Sequence, residues 1–209
     1  MAQHPDYLDN VFINCPFDKT YNAIFEAIVF VIHDCGFIAR CAREEQDSGD
    51  IRFDKLIRII DDCKYGVHDI SKADLDASTS LARFNMPLEL GLFMGCHRYA
   101  DKDHYNKNKR ALVMDKEAYR YQKFISDLAG TDISIHEDSP AMAINIVRKF
   151  LYNNAPRNSI ASGAYISERY QIFSANLSDY CRKLRWDRDD LTFLEYVSCV
   201  AEWIRLNPE

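Results

Sequence analysis

The sequence predicts an α/β protein with a five-stranded parallel sheet of flavodoxin-like order and helices on both faces. Short apolar runs rich in β-branched and aromatic residues alternate five times with longer segments of helical periodicity. Parallel strands need crossover connections, so this alternation favours a parallel sheet, and right-handed crossovers favour the flavodoxin-like order. The 209 residues, 47% hydrophobic and 28% charged, suit a globular chain.

The first units are marked by clear start and stop signals. The run "NVFINC" at 10–15 predicts a buried strand, and a helix follows with Asp18 as its N-cap and Gly36 as its stop. A second strand is predicted over 37–42, and the stripe in "RFDKLIRIIDDC" predicts an amphipathic helix over 52–63.

The later units follow the same alternation. Strands are predicted over 64–70, 110–115 and 131–136, and helices from Pro87, over 118–130 and over 139–154. Proline is favoured at the first helical position, which makes Glu89 the third residue of its helix. A glutamate there commonly supports a capping box and the helix dipole, and this is the alternative to a catalytic role.

The chain divides by composition into three parts. Residues 1–152 carry the strand–helix alternation, 153–164 have the composition of a linker, and 165–209 predict a helical hairpin. Asp189 or Asp190 is the predicted cap of the second hairpin helix.

The hairpin carries two apolar stripes, together with Trp186 and Trp203. It is too small to bury these stripes alone, so it must pack on the sheet domain or on a second chain. These apolar surfaces lead us to expect a homo-oligomer.

Composition excludes several classes of protein. A formal net charge of -6 argues against general nucleic-acid binding. The longest apolar stretch, 23–32, is too short for a membrane span, and the N-terminus has no signal pattern. Seven cysteines without a CxxC pair suit a reducing compartment. We therefore expect a cytoplasmic protein without membrane contact.

Several catalytic and cofactor motifs are absent from the sequence. It contains no GxGxxG, no GxxxxGK[ST], no HExxH and no GxSxG. We therefore predict neither a metal nor a cofactor, and isolated histidines are interpreted as surface or core residues.

Polar residues follow the first three predicted strands. The loops contain 14–17, 40–44 and 69–71, and the helix from Pro87 begins on the same rim, which brings Glu89 to it. Ligands bind at the carboxyl ends of the strands in open α/β sheets, so a site is predicted here.

Two residues of these loops allow two interpretations each. Cys15 is a nucleophile at a strand end or, as we favour, a small buried residue before a proline turn. Asp69 is a carboxylate pointing into the cleft or a turn residue that binds its own downstream backbone.

Three segments in this order resemble a known pair of families. "VFINCPFD", "FDKLIRIIDDCKYGVHDIS" and "RFNMPLELGLFMG" are similar to the shared core of TIR-like proteins and nucleoside 2-deoxyribosyltransferases. The resemblance covers roughly residues 10 to 150. In the deoxyribosyltransferase-like family an Asp follows the third strand and a Glu in an "ElG" context is the catalytic carboxylate; Asp69 and Glu89 match these positions. In enzymatic TIR domains a Glu at the corresponding helix start supports cleavage of the nicotinamide–ribose bond of NAD.

The resemblance implies an enzyme that cleaves the N-glycosidic bond of NAD, a nucleotide or a nucleoside, in bacterial defence or nucleotide signalling. Glu89 would be the catalytic carboxylate and Asp69 its partner. The expected substrate-binding residues all lie in the strand-end loops or at the helix start: Asn14, Ser71 and Asn85 for ribose hydroxyls, Phe17 or Tyr21 for stacking a base, and Cys15, Arg40 and Met86.

Two alternatives remain open at this point. The same pocket would serve a non-catalytic nucleotide-sensing or protein-interaction module of the TIR-like kind. A flavodoxin-like redox or phospho-acceptor protein is less favoured, because a receiver-type site needs an acidic pair after the first strand, and only Asp9 and Asp18 flank it.

Overall fold

The computed structural model describes residues 3–44, 47–73, 83–155, 157 and 160–208 and shows the predicted α/β fold. The described residues form a five-stranded sheet of order β2-β1-β3-β4-β5, and all its neighbouring strands are parallel. The strands are β1 (Asn10–Asn14), β2 (Ile38–Cys41), β3 (Tyr65–Asp69), β4 (Arg110–Asp115) and β5 (Ile133–Ile135). The helices are α1 (Asn22–Asp34), α2 (Arg52–Asp61), α3 (Asn85–Tyr99), α4 (Pro140–Asn154), α5 (Gly163–Leu184) and α6 (Phe193–Leu206).

One face of the sheet is covered by two helical layers. α1 and α4 lie on the sheet, and α5 and α6 pack on them within one continuous core. Every residue from Ile24 to Ile32 is buried, because α1 is enclosed between the sheet and the C-terminal helices. Phe30 stacks on Phe173 with ring centroids 5.2 Å apart and lies 5.6 Å from Trp203. The apolar stripes of the hairpin therefore pack on the sheet domain of the same chain.

The other face is covered by α2 and α3. Phe12 of β1 packs with α2 and with Phe93 of α3. Gly66 of β3 lies so close to α3 that a Cβ there would be 2.5 Å from His68 Nε2 and 2.9 Å from the Phe93 ring. A glycine at this position lets α3 approach the sheet.

The prediction of a helix over 118–130 is wrong. That segment contains two short 3₁₀ turns, Arg120–Lys123 and Ser126–Leu128. Tyr119 has a φ of 60°, outside the helical region, and Arg120 is held by an ion pair of 2.8 Å to Asp115. A tertiary contact thus overrides the local periodicity.

Three predicted helix starts also differ from the structure. α3 begins at Asn85, so Glu89 is its fifth residue and the capping interpretation is wrong. Asp18 accepts the backbone N–H of Tyr21 in the turn before α1 and does not cap that helix. Thr192 caps α6 in a capping box with Glu195, in place of the predicted Asp189 or Asp190.

None of the described helices is long and apolar enough to cross a membrane.

Candidate functional site

The carboxyl ends of the five strands form one rim lined by polar or ionisable residues. Each of these residues is the last of its strand or follows it directly, and all are buried: Asn14, Cys41, Asp69, Asp115 and His136. The rim is where an open α/β sheet binds ligands.

Asp69 is enclosed by hydrogen-bonding groups from three segments. Its Oδ2 accepts a hydrogen bond of 2.5 Å from the Tyr21 hydroxyl and lies 2.9 Å from His136 Nε2. Its Oδ1 accepts the backbone N–H of Ser71 at 2.7 Å. Burial and the Asp69 charge raise the pKa of the Tyr21 hydroxyl well above its usual value, so Tyr21 stays protonated as the donor.

The orientation of His136 follows from its other ring nitrogen. The backbone N–H of Asp138 donates to His136 Nδ1 at 3.1 Å, so in the neutral ring the proton is on Nε2, the nitrogen that lies 2.9 Å from Asp69 Oδ2. Asp69 is 0% exposed and ties α1, β3 and the segment after β5 together. In this arrangement Asp69 holds neighbouring residues of the rim in position. It does not point into the cleft, which is what one of the two sequence interpretations expected.

Asn14 connects the end of β1 to the first turn of α3. Its side-chain amide donates to the Met86 carbonyl at 2.7 Å and lies 3.1 Å from His68 Nδ1. Burial lowers the pKa of His68 to about 3, so the ring is neutral and accepts this hydrogen bond. Both Asn14 and Met86 are buried, and their contact fixes the start of the helix that carries Glu89.

Glu89 differs from the other rim carboxylates because it is only partly buried. Among the described residues, no side chain or backbone group forms a hydrogen bond or ion pair with its carboxylate. Burial raises its pKa to about 7, and the positive charge of Arg52 opposes this shift. A carboxylate that titrates near neutrality at a ligand-binding rim is typical of a functional group.

The remaining predicted site residues fall into enclosed and accessible groups. Cys15 is 4% exposed, and burial, with the charges of Asp69 and Glu89, raises the pKa of its thiol well above the usual value. A neutral, buried thiol is a poor nucleophile. Ser71 is also fully buried, whereas Phe17 is 38% exposed and Asn85 is exposed.

Arg40 is engaged by a neighbouring carboxylate. Its guanidinium donates from Nε to Glu44 Oε2 at 2.8 Å and from a terminal nitrogen to Glu44 Oε1 at 2.5 Å. This fork satisfies the Arg40 side chain, which leaves Arg43 as the arginine of this loop that faces solvent.

Sequence reasoning missed His136 and Asp115 as members of the rim. His136 was interpreted as an isolated histidine, although it directly follows the predicted fifth strand. Asp115 ends β4 and forms a buried ion pair of 2.8 Å with Arg120, which also donates to the Ile70 carbonyl at 2.8 Å. Their place at strand ends was the signal that would have identified both.

Within the part of the chain that the structure describes, no group of three or more His, Cys, Asp or Glu side chains is placed to hold a metal ion. Comparison of the chain with protein-family models, with curated proteins and with solved structures found no match.

Proposed function

We propose that the chain cleaves the N-glycosidic bond of NAD, a nucleotide or a nucleoside, with Glu89 as the carboxylate that faces the sugar. The supporting observation is Glu89 itself: a partly buried carboxylate, without a partner among the described residues, with a pKa of about 7 at the ligand-binding rim. The match of "RFNMPLELGLFMG" to the deoxyribosyltransferase-like motif also supports the proposal. The link to defence or nucleotide signalling depends on that resemblance alone.

The chemistry needs one carboxylate on the sugar. As the bond between the anomeric carbon and the base nitrogen breaks, its electron pair leaves with the base and positive charge develops on the sugar. Ionised Glu89 stabilises that charge or forms an ester with the anomeric carbon. Water then adds to the anomeric carbon and releases Glu89. The proton lost by the water is taken up by the departing base of a nucleoside or nucleotide, whereas with NAD it is released to solvent, because nicotinamide leaves as a neutral base.

Buried contacts keep Glu89 in place. The Asn14 hydrogen bond to the Met86 carbonyl fixes the first turn of α3, and Gly66 lets Phe93 sit close against the sheet. Held in this way, the carboxylate need not reorganise as charge develops on the sugar. Asp69 contributes by holding Tyr21 and His136, so it is a positioning residue in this proposal.

The first test is base release by the full chain. Purified protein is incubated with NAD, with nucleoside monophosphates and with deoxynucleosides, and the free base is followed by chromatography. We expect Glu89→Gln to lower the rate by about 10²- to 10⁴-fold, because it removes the negative charge that faces the sugar. Glu168→Gln, the same change at an exposed position on α5, should leave the rate unchanged.

Three results would contradict the proposal in different ways. Turnover that survives Glu89→Gln would refute the site. Equal losses in both variants would show that the change acts through charge or stability. Ligand binding without base release in the wild type would favour the nucleotide-sensing alternative.

A further inference from the structure

A cleft of about 750 Å³ lies beside the loops that follow β1 and β2. Its walls come from 17–19 and the start of α1, from Arg43 after β2, and from 188–196, which covers the end of the α5–α6 connection and the start of α6. The volume lies within the range of small-molecule sites in proteins. The C-terminal hairpin thus contributes one wall of a cavity that the sheet domain does not form alone.

The cleft contains an aromatic surface suited to a flat ring. Phe17 is 38% exposed, and its ring meets Phe25 edge to face at a centroid distance of 5.5 Å. Phe25 in turn lies 6.1 Å from Phe193 of α6. Because Phe25 and Phe193 are buried, they hold Phe17 in place while it remains accessible, and an exposed aromatic ring is a stacking surface for a nucleobase.

The acidic residues nearest this surface are already engaged. Glu26 accepts hydrogen bonds from Arg188 at 2.8 Å and from Asn22 at 2.6 Å. Asp18 accepts the hydroxyl of Thr20 at 2.5 Å and lies 3.4 Å from Arg83. The charge of Glu26 is therefore balanced by Arg188, and that of Asp18 is partly offset by Arg83.

Two cations of the cleft are not neutralised in this way. Neither Lys19 nor Arg43 forms an ion pair with another described residue, and the Arg43 guanidinium lies 5.4 Å from the centroid of the Phe17 ring. On the opposite wall Asp189 and Asp190 are exposed. An anionic group is thus favoured on the Lys19–Arg43 side, and the two aspartates are placed to accept hydrogen bonds from sugar hydroxyls.

The cleft and Glu89 border the same strand ends. The charges of Arg43 and Glu89 both act on the thiols of Cys15 and Cys41, which lie at the ends of β1 and β2.

Building on the proposed function, we infer that this cleft binds the phosphate-bearing part of a nucleotide, with a base on Phe17 and phosphate oxygens on Arg43 and Lys19. The substrate class is then a nucleotide or dinucleotide and not a free nucleoside. The hairpin, which lies outside the family resemblance, contributes to recognition through the wall that includes Arg188 and Phe193.

The test is a binding measurement that does not require turnover. In the full-length Glu89→Gln background, calorimetry compares ADP and UDP with adenosine and uridine, and inorganic diphosphate serves as a third probe. We expect the diphosphates to bind at least about 10-fold more tightly than their nucleosides, because charge-assisted hydrogen bonds to phosphate add to the stacking.

Variants separate the two parts of the site. Arg43→Gln and Lys19→Gln should each weaken ADP binding by about 10-fold and leave adenosine binding unchanged. Arg43→Lys should retain part of the affinity for ADP, because it keeps the positive charge. Phe17→Leu should weaken both ligands by about 10-fold. Lys102→Gln, which removes an exposed cation beyond the end of α3, is the matched control and should change nothing.

The inference fails if nucleosides bind as tightly as diphosphates, if Arg43→Gln and Lys19→Gln do not affect ADP binding, or if no probe binds.

Failure of this inference is distinguishable from failure of the proposed function. Arg43-dependent ADP binding without base release from any substrate would support the cleft and refute the enzyme. Release from nucleosides as fast as from nucleotides, unaffected by Arg43→Gln, would support the enzyme and refute the cleft.

Discussion

The two faces of the sheet are covered to different depths. On one face α1 lies under α5 and α6, and its residues from Ile24 to Ile32 are all buried. On the other face α3 has three buried residues, Met86, Leu90 and Phe93. The outermost helices of both faces expose apolar side chains, among them Phe53, Ile57 and Leu88 on this face and Ile172 and Leu194 on the other.

The two faces therefore differ in how much they contribute to stability and in how far they leave Glu89 accessible. The doubly covered face contributes most of the buried apolar surface and therefore most of the hydrophobic stabilisation. The singly covered face leaves Glu89 partly accessible, and a carboxylate needs such access to meet a ligand.

The largest expected effect breaks the doubly covered face. Phe173 is fully buried and packs against Phe30 and Trp203, so Phe173→Ala should lower the free energy of unfolding by about 3–5 kcal/mol. Leu88 of α3 is 54% exposed, and Leu88→Ala should change it by no more than about 0.5 kcal/mol. Urea unfolding followed by circular dichroism measures both; similar losses would mean that the two faces contribute alike.

A smaller change in the free energy of unfolding tests how α3 packs on the sheet. The methyl group in Gly66→Ala would clash with His68 and Phe93. We therefore expect the free energy of unfolding to fall by about 1–3 kcal/mol and base release to slow as α3 shifts.

Gly91, on the outer side of α3, has no heavy atom within 4 Å of an added Cβ. Gly91→Ala should therefore stabilise the protein by up to about 1 kcal/mol, through helix propensity alone. Destabilisation by Gly91→Ala would show that this side of α3 is covered.

A further test of this face is the pH dependence conferred by Glu89. Its pKa in the folded chain, about 7, lies above the ordinary value for a glutamate, 4.5. The protonated carboxyl is thus favoured by folding, so its contribution to stability is fully present below pH 4.5 and is lost as the pH rises through about 7. The difference in unfolding free energy between the wild type and Glu89→Gln should change over this window, and a flat difference would contradict the shift.

The same pKa sets the direction of the activity profile. If ionised Glu89 stabilises the sugar cation, kcat/KM should rise with pH through about 7 and then level off. A rate that falls through the same range would instead assign Glu89 the role of a general acid.

Local patterns predicted the strands and most of the helices, because alternating apolar runs and caps act over a few residues. β4 is found at the predicted Arg110–Asp115, and α4 covers Pro140–Asn154 within the helix predicted over 139–154. The segment 118–130 failed because an ion pair between Arg120 and Asp115 decides its path, and a periodicity pattern contains no such contact.

The candidate site was only partly predictable for a related reason. Glu89 and the strand-end loops follow from the order of elements, since parallel strands end at one rim. Which carboxylate is accessible does not follow: Tyr21, Ser71 and His136 enclose Asp69, and these residues are far from one another in the sequence. Self-association stays a prediction, since the hairpin stripes that suggested it are buried within the chain.

By itself the sequence determined the fold class, the strand–helix alternation and the segment that carries Glu89. These depend on short-range propensity and hydrophobic periodicity. The tertiary structure alone decided that the C-terminal hairpin packs over α1, that Asp69 is enclosed and Glu89 is not, and that a cleft opens beside Phe17 and Arg43. Each of these outcomes depends on contacts between distant segments, whose packing and desolvation no local pattern encodes.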